Sequence, residues 1–129
     1  MPDLGNRANV NGPQPIGKVV EPPADLYDTG RRFLERLMKG DKPGALAMAA
    51  DDARDDVAAA ADSLGPNSYS EMEFFGRARV VKHWWLKARL TKGGGAPAIV
   101  QFRLGTGANG EWMVYEMMNL TGVRSGWSL

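Results

Sequence analysis

The stretch RARVVKHWWLKARLT, residues 77–91, decides the fold class of this chain. Its apolar side chains recur at every second position, and a period of two is typical of a β-strand with one buried face. The face that we expect to be buried consists of Ala78, Val80, Trp84, Leu86, Ala88 and Leu90. The stretch therefore predicts one long strand with the core on one side.

The same alternation continues on both sides of this stretch. A short strand is predicted at residues 68–75, and three glycines at 93–95 favour a turn before residues 98–104 alternate again. Asn109-Gly110, a strong hairpin signal, precedes a last strand at residues 111–120. The C-terminal half is therefore predicted to be an antiparallel meander.

The N-terminal half has a helical period instead. A first helix is predicted at residues 24–39, where Gly40 ends an apolar stripe. The stripe consists of Leu26, Gly30, Phe33, Leu34, Leu37 and Met38. Asp41 suits the N-cap of a second helix, and residues 51–64 form a third helix or continue the second. Helices followed by a meander predict an α+β roll, in which two or three helices pack on a curved antiparallel sheet.

The domain organisation follows from composition and length. Residues 1–23 are rich in glycine and proline and are predicted to be a flexible tail or linker, in which residues 16–20 could add to a sheet edge. Residues 24–129 are predicted to form a single domain, since 129 residues leave room for one.

Charge and cysteine content exclude several classes of function. The chain has no cysteine, so disulfides, thiolate metal sites and cysteine nucleophiles are excluded. A net charge of +1 argues against a dedicated nucleic-acid binder. No apolar run approaches the roughly 20 residues that span a membrane. We expect a soluble chain, either cytoplasmic or the extracytoplasmic part of an anchored protein.

Two segments resemble a known superfamily. Residues 33–41, FLERLMKGD, resemble the opening of nuclear transport factor 2-like domains, in which a helix is followed by Gly-Asp and a short helix. Residues 109–114, NGEWMV, look like their closing Gly-x-Trp-x-Val strand. The resemblance covers residues 24–128 and implies a cone-shaped roll whose sheet and helices enclose a pocket. Members include isomerases, cyclases and dehydratases as well as non-catalytic domains, and no position here matches the catalytic motifs of the enzymes.

The candidate chemical groups are few. Strict alternation places Glu116 on the face of Trp112 and Val114, where burial would raise the pKa of its carboxyl toward that of a general base. A bulge that shifts the register, or a strand end open to water, is the alternative. His83, the one histidine, is the other catalytic candidate. The predicted pocket consists of Phe33, Trp84, Trp112 and Glu116. No metal site or cofactor is predicted.

The opposite sheet face is also partly apolar, which a face exposed to water should not be. The residues predicted on it are Val81, His83, Trp85, Ile99, Met113, Tyr115 and Met117. An apolar patch of this kind usually marks a partner site. In the resembling superfamily this face commonly packs on a second copy, so a homodimer is expected; the alternative is that the tail or residues 123–129 cover it.

Three further patterns are interpreted as structural. Residues 105–110 match G-x-G-x-x-G, but they join two strands rather than opening a helix, which favours a hairpin over a dinucleotide site. Residues 51–56, DDARDD, are typical of a solvated helix start rather than a magnesium site. Basic residues along 77–92 protect an exposed sheet, and nucleic-acid binding is not predicted.

Three functional hypotheses remain open. The first is a non-catalytic homodimeric module for binding or assembly. The second is a protein or enzyme that takes a small apolar ligand, with Glu116 or His83 as its ionisable group. The third is the extracytoplasmic domain of a membrane-anchored protein.

Overall fold

The computed structural model describes residues 21–93 and 95–121. Its helices are α1 (Ala24–Met38), α2 (Lys42–Ala47) and α3 (Arg54–Leu64), with 3-10 turns at Asp51–Ala53 and Gly65–Asn67. Its strands are β1 (Glu71–Val80), β2 (His83–Thr91), β3 (Ala98–Thr106) and β4 (Trp112–Asn119). They form one antiparallel sheet in the order β1-β2-β3-β4. The predicted α+β architecture is confirmed, while residues 1–20 of the predicted tail lie outside the described residues.

The helix α1 packs closely on the sheet because its buried stripe includes a glycine. A Cβ atom added to Gly30 would lie only 3.0 Å from the Leu86 side chain. One turn further, the rings of Phe33 and Phe102 meet with 5.2 Å between their centroids. Gly40 then ends the helix with a left-handed φ of 73°, and the Asp41 carboxylate accepts a hydrogen bond from the Gly44 N–H at 3.0 Å to cap α2.

The core lies between the helices and the inner face of the sheet, which is the face turned toward them. This face is fully buried along the two central strands, at Leu86, Ala88 and Leu90 on β2 and at Val100, Phe102 and Leu104 on β3. Burying a large apolar side chain stabilises a fold by about 1.5–3 kcal/mol. The predicted alternation along β2 and β3 is therefore confirmed.

The prediction of one long strand at residues 77–91 is wrong, because the stretch belongs to two strands. A two-residue turn, Val81-Lys82, divides it into β1 and β2, and Val80 pairs with His83 across the turn. Val81 has a left-handed φ of 57°, which is rare for a β-branched residue. The turn escaped prediction because it contains none of the usual turn residues.

The last strand contains a β-bulge that overturns the predicted position of Glu116. Arg103 pairs with Glu116 but its neighbour Leu104 pairs with Val114, so Tyr115 is the extra residue. A single extra residue reverses the facing of everything beyond it. Glu116 consequently lies on the outer face, whereas Met117 is buried in the core.

The free edge of β4 is partly covered by the segment after α2. The Val114 N–H donates to the Met48 carbonyl at 2.8 Å, and the Ala50 N–H donates to the Val114 carbonyl at 2.8 Å. This short parallel pairing satisfies the edge at its middle. Among the helices in the described ranges, none is long and apolar enough to cross a membrane.

Candidate functional site

The outer face of the sheet, turned away from the helices, carries a cluster of aromatic and charged side chains. We call this cluster the outer patch; it consists of His83, Trp85, Arg103, Met113, Tyr115 and Glu116, all half-buried. Four of them belong to the predicted interface set, and Ile99 lies on the same face toward the other end of β3. The other two predicted members are placed elsewhere, since Val81 is in the turn and Met117 is in the core.

Arg103 lies at the centre of the outer patch. Its guanidinium donates to the Glu116 carboxylate from Nε at 2.8 Å, and its Nη2 lies 2.7 Å from the same oxygen. The rings of Trp85 and Tyr115 lie beside the guanidinium, with their centroids 5.9 Å and 5.8 Å from Cζ. Sequence reasoning missed Arg103, although the alternation of residues 98–104 already places it on the face of Ile99.

His83 contacts this arginine directly. Arg103 Nη1 donates to His83 Nδ1, because arginine has no acceptor, so a neutral imidazole carries its proton on Nε2. Burial and then the Arg103 charge lower the pKa of His83 below 6.5, against an opposing effect of Glu116. The imidazole also packs on the Tyr115 ring at 4.8 Å and covers Gly105, where a Cβ atom would lie 2.5 Å from Nε2.

This geometry engages both predicted catalytic groups in contacts with the protein itself. A general base needs a free lone pair within reach of its substrate. The Nδ1 lone pair of His83 accepts from Arg103, and the Glu116 carboxylate is paired with the same guanidinium. The contact with Arg103 thus occupies His83 Nδ1 and offsets the charge of Glu116, and among the described residues Arg103 contacts only the Oε1 atom of that carboxylate.

The outer face is not uniform along its strands. Toward the other end of the sheet, Lys87 is only 2% exposed and Gln101 only 5% exposed. Lys87 lies 5.7 Å from the centroid of the Phe75 ring, and within the described residues the Gln101 Oε1 atom has no hydrogen-bond partner. The outer face is thus buried at Lys87 and Gln101, while the outer patch on one side of them and the 37% exposed Met118 on the other remain accessible.

The four residues of the predicted pocket are not brought together. Phe33 and Trp84 are buried in the core, and Trp112 is half-buried at its margin. Glu116 lies on the opposite face, because the bulge at Tyr115 reverses the phase of the strand. The inner face therefore holds no carboxylate from this set.

A cleft of about 440 Å³ lies instead between one flank of α1 and the start of β4. Its lining consists of Asp25, Asp28, Thr29, Arg32, Arg36, Ala47, Met48, Gly110, Glu111, Trp112 and Met113. Of the predicted pocket residues it includes Trp112. Sequence reasoning missed the cleft, although the helical spacing of its charged residues already places them on one flank of α1.

The charges that α1 contributes to the cleft are sorted along the helix, and Glu111 adds one carboxylate beside the start of β4. An acidic pair, Asp25 and Asp28, lies in the first turns, and a basic pair, Arg32 and Arg36, follows one to three turns later. Arg36 donates to the Gly44 carbonyl at 3.0 Å, and Arg32 lies 3.5 Å from the Thr29 hydroxyl. No ion pair involves either the acidic or the basic pair within residues 21–93 and 95–121.

The remaining sequence motifs take structural positions. Residues 105–110 run from the end of β3 into the turn before β4, as the hairpin interpretation predicts. The aspartates of residues 51–56 are exposed at the 3-10 turn and the start of α3. Within the part of the chain that the structure describes, no group of three acidic or histidine residues could hold a metal ion.

Comparisons with known proteins identify the fold. No family model and no curated protein matches the sequence. A Campylobacter jejuni protein described as NTF2-like (nuclear transport factor 2-like) has a similar structure, with a TM-score of 0.58 and 9% identity over 71% of this chain and 98% of that chain. ActVI-ORFA from Streptomyces coelicolor has a TM-score of 0.52 and 14% identity over 74% and 94%. The fold is therefore nuclear transport factor 2-like, as the sequence resemblance indicated.

Proposed function

We propose that this protein is a non-catalytic homodimeric module for binding or assembly, in which the outer patch packs on the same patch of a second copy. The observation that carries the proposal is the half-exposed surface of Trp85, Tyr115 and Met113 around a neutralised Arg103–Glu116 pair. Aromatic residues, methionine and arginine are enriched at protein interfaces.

The charge balance of the outer patch suits a symmetric contact. In a two-fold interface the same surface appears on both subunits and must be complementary to itself. An unpaired arginine at the centre would meet its own copy and be repelled. Glu116 accepts a hydrogen bond from Arg103 at 2.8 Å, and the lowered pKa of His83 favours its neutral form. Two copies of the outer patch can therefore approach each other without repulsion between like charges.

The turn beside the outer patch adds apolar surface. Val80 is half-exposed, Val81 is 81% exposed, and both border a shallow notch of about 340 Å³ with His83 and Arg103. The notch thus places a depression next to the exposed turn at Val81. If the turn of one copy fits the depression of the other, shape complementarity favours a single orientation of the second copy.

The apolar-ligand hypothesis receives less support from the inner face. Side chains from α1 and the sheet fill the space where such a ligand would lie, since the Phe33 and Phe102 rings are fully buried against each other. The nearest sheet side chains to Gly30, those of Leu86 and Phe74, already lie about 3 Å from the position of its missing Cβ atom. A dimeric module therefore agrees better with the described side chains.

Sedimentation velocity tests the proposal directly. The unmodified chain should sediment at twice the mass of one chain, and Trp85→Glu should sediment as a monomer, because a carboxylate in the interface would be desolvated without a partner. Ala59→Glu, which adds the same charge at an exposed position on α3, is the matched control and should stay dimeric.

Two results would overturn the proposed interface. One is an unmodified chain that remains monomeric at high concentration. The other is a folded Trp85→Glu variant with unchanged mass and unchanged stability. Far-ultraviolet circular dichroism distinguishes a dissociated variant, which keeps its spectrum, from an unfolded one.

A further inference from the structure

We propose that the cleft between α1 and β4 binds a small zwitterion, whose ammonium group lies at the acidic pair and whose anionic group lies at the basic pair. This site goes beyond the dimer proposal and shares only Met113 with the outer patch. The two proposals can therefore fail separately.

Opposite charges are separated along one wall of the cleft. Asp28 and Arg32 are four residues apart, which is about 6 Å along a helix axis, and the other members of the two pairs extend the spacing in both directions. Since no ion pair engages these four side chains within the described residues, both charges are available to a ligand. A wall of this kind fits a molecule with opposite charges at its two ends.

An open stretch of the β4 edge borders the cleft. The N–H and C=O groups of Val114 point to the free edge of β4, where they bond to Met48 and Ala50. Backbone groups two residues apart on a strand point the same way, so those of Trp112 also face this edge. Among the described residues no partner bonds to them, so the Trp112 peptide presents a donor for a carboxylate and an acceptor for an ammonium group.

Apolar side chains line the cleft between the acidic and basic pairs. The half-buried Trp112 and Met48 side chains, together with Ala47, give the cleft an apolar middle. A volume of about 440 Å³ lies within the range of small-molecule sites. The fitting class is therefore an amino acid whose ammonium and carboxylate groups are separated by an apolar chain.

Three probes with six carbon atoms each test this assignment: 6-aminohexanoate, hexanoate and hexylamine. Each is titrated into the ¹⁵N-labelled chain while amide resonances are followed. We expect 6-aminohexanoate to bind at least about tenfold more tightly than either singly charged probe, because it alone engages both charged pairs. The amide of Trp112 should shift most.

Variants that remove one charge should each weaken the binding of a different singly charged probe, which nonspecific adhesion would not do. Arg32→Ala should lower the affinity for 6-aminohexanoate and hexanoate about tenfold and leave hexylamine binding unchanged. Asp28→Asn should weaken 6-aminohexanoate and hexylamine binding and leave hexanoate binding unchanged. Lys39→Ala, an exposed cation outside the cleft lining, is the control. Both test positions are exposed, so the variants should fold.

Several outcomes would overturn the zwitterion site. These are equal affinity for all three probes, no saturable shift with any of them, or shifts centred on the outer patch instead of Trp112. An Arg32→Ala variant that binds 6-aminohexanoate as the unmodified chain does would also overturn it.

Discussion

The inner and outer faces of the sheet differ in what holds their side chains in place. On the inner face, apolar side chains such as Phe33 from α1 and Phe102 from β3 are fully buried by one another. On the outer face, Arg103 orders the outer patch through an ion pair, a contact with His83 and two flanking rings. Packing thus stabilises the fold on one side, while polar and aromatic contacts shape a surface on the other.

The largest expected effect is the difference in free energy of unfolding between a truncation on the inner face and one on the outer face. Phe33→Ala should lower the free energy of unfolding by about 3–5 kcal/mol, because it opens a cavity in the close-packed core. Met113→Ala, on the half-buried outer patch, should cost less than about 1.5 kcal/mol in the monomer. Urea unfolding of both variants under monomeric conditions measures the difference. Equal losses would show that the outer face contributes as much to the fold as the inner face.

A smaller effect tests how closely the outer patch is packed. Gly105→Ala would place a Cβ atom 2.5 Å from His83 Nε2, so the imidazole must shift away from residue 105. We expect a loss of about 1–3 kcal/mol, as for other overpacked sites, and altered side-chain resonances of His83. Gly107→Ala is the matched control, since its nearest atom would be 3.6 Å away. A Gly105→Ala variant as stable as this control would show that the outer patch is loosely packed.

The smallest effect concerns the pH dependence contributed by His83. Its pKa is lowered in the folded chain, so below pH 6.5 the unfolded chain binds more protons and stability falls as the pH decreases. Arg103→Gln should raise the His83 pKa by removing a positive charge, and Glu116→Gln should lower it further. Histidine ring titration by proton resonance measures both shifts. Shifts of the opposite sign would contradict the described contacts.

These outcomes also show how far the sequence could go. The inner face could be predicted from residues 84–104 because Trp84, Leu86 and Phe102 are large apolar residues at alternating positions. Ala78 and Val80, predicted on the same face, are exposed instead, because the turn at Val81-Lys82 places them on the outer face. The position of Glu116 could not be predicted with the same rule, since a bulge adds one residue without leaving a local signal. The turn at Val81-Lys82 was missed for a related reason, because it lacks glycine, asparagine and proline.

The cleft between α1 and β4 could be predicted from the sequence only in part. Asp28 and Arg32 on one flank of α1 are visible in the sequence as residues four apart. What faces them is not, because Trp112 and Met48 come from elements separated by long intervals of chain. The strand edge that borders the cleft exists because the segment after α2 covers β4 only near Val114.

The sequence by itself determined the classes of element, their order and the core side chains of α1, β2 and β3, because hydrophobic period and helix caps are local properties of the chain. Tertiary structure alone decided that Glu116 pairs with Arg103, that Met117 is buried and that charged residues of α1 border an open strand edge. These features depend on the register between strands and on contacts between distant segments. A shift of one residue changes the face of a side chain without changing the pattern that produced the strand.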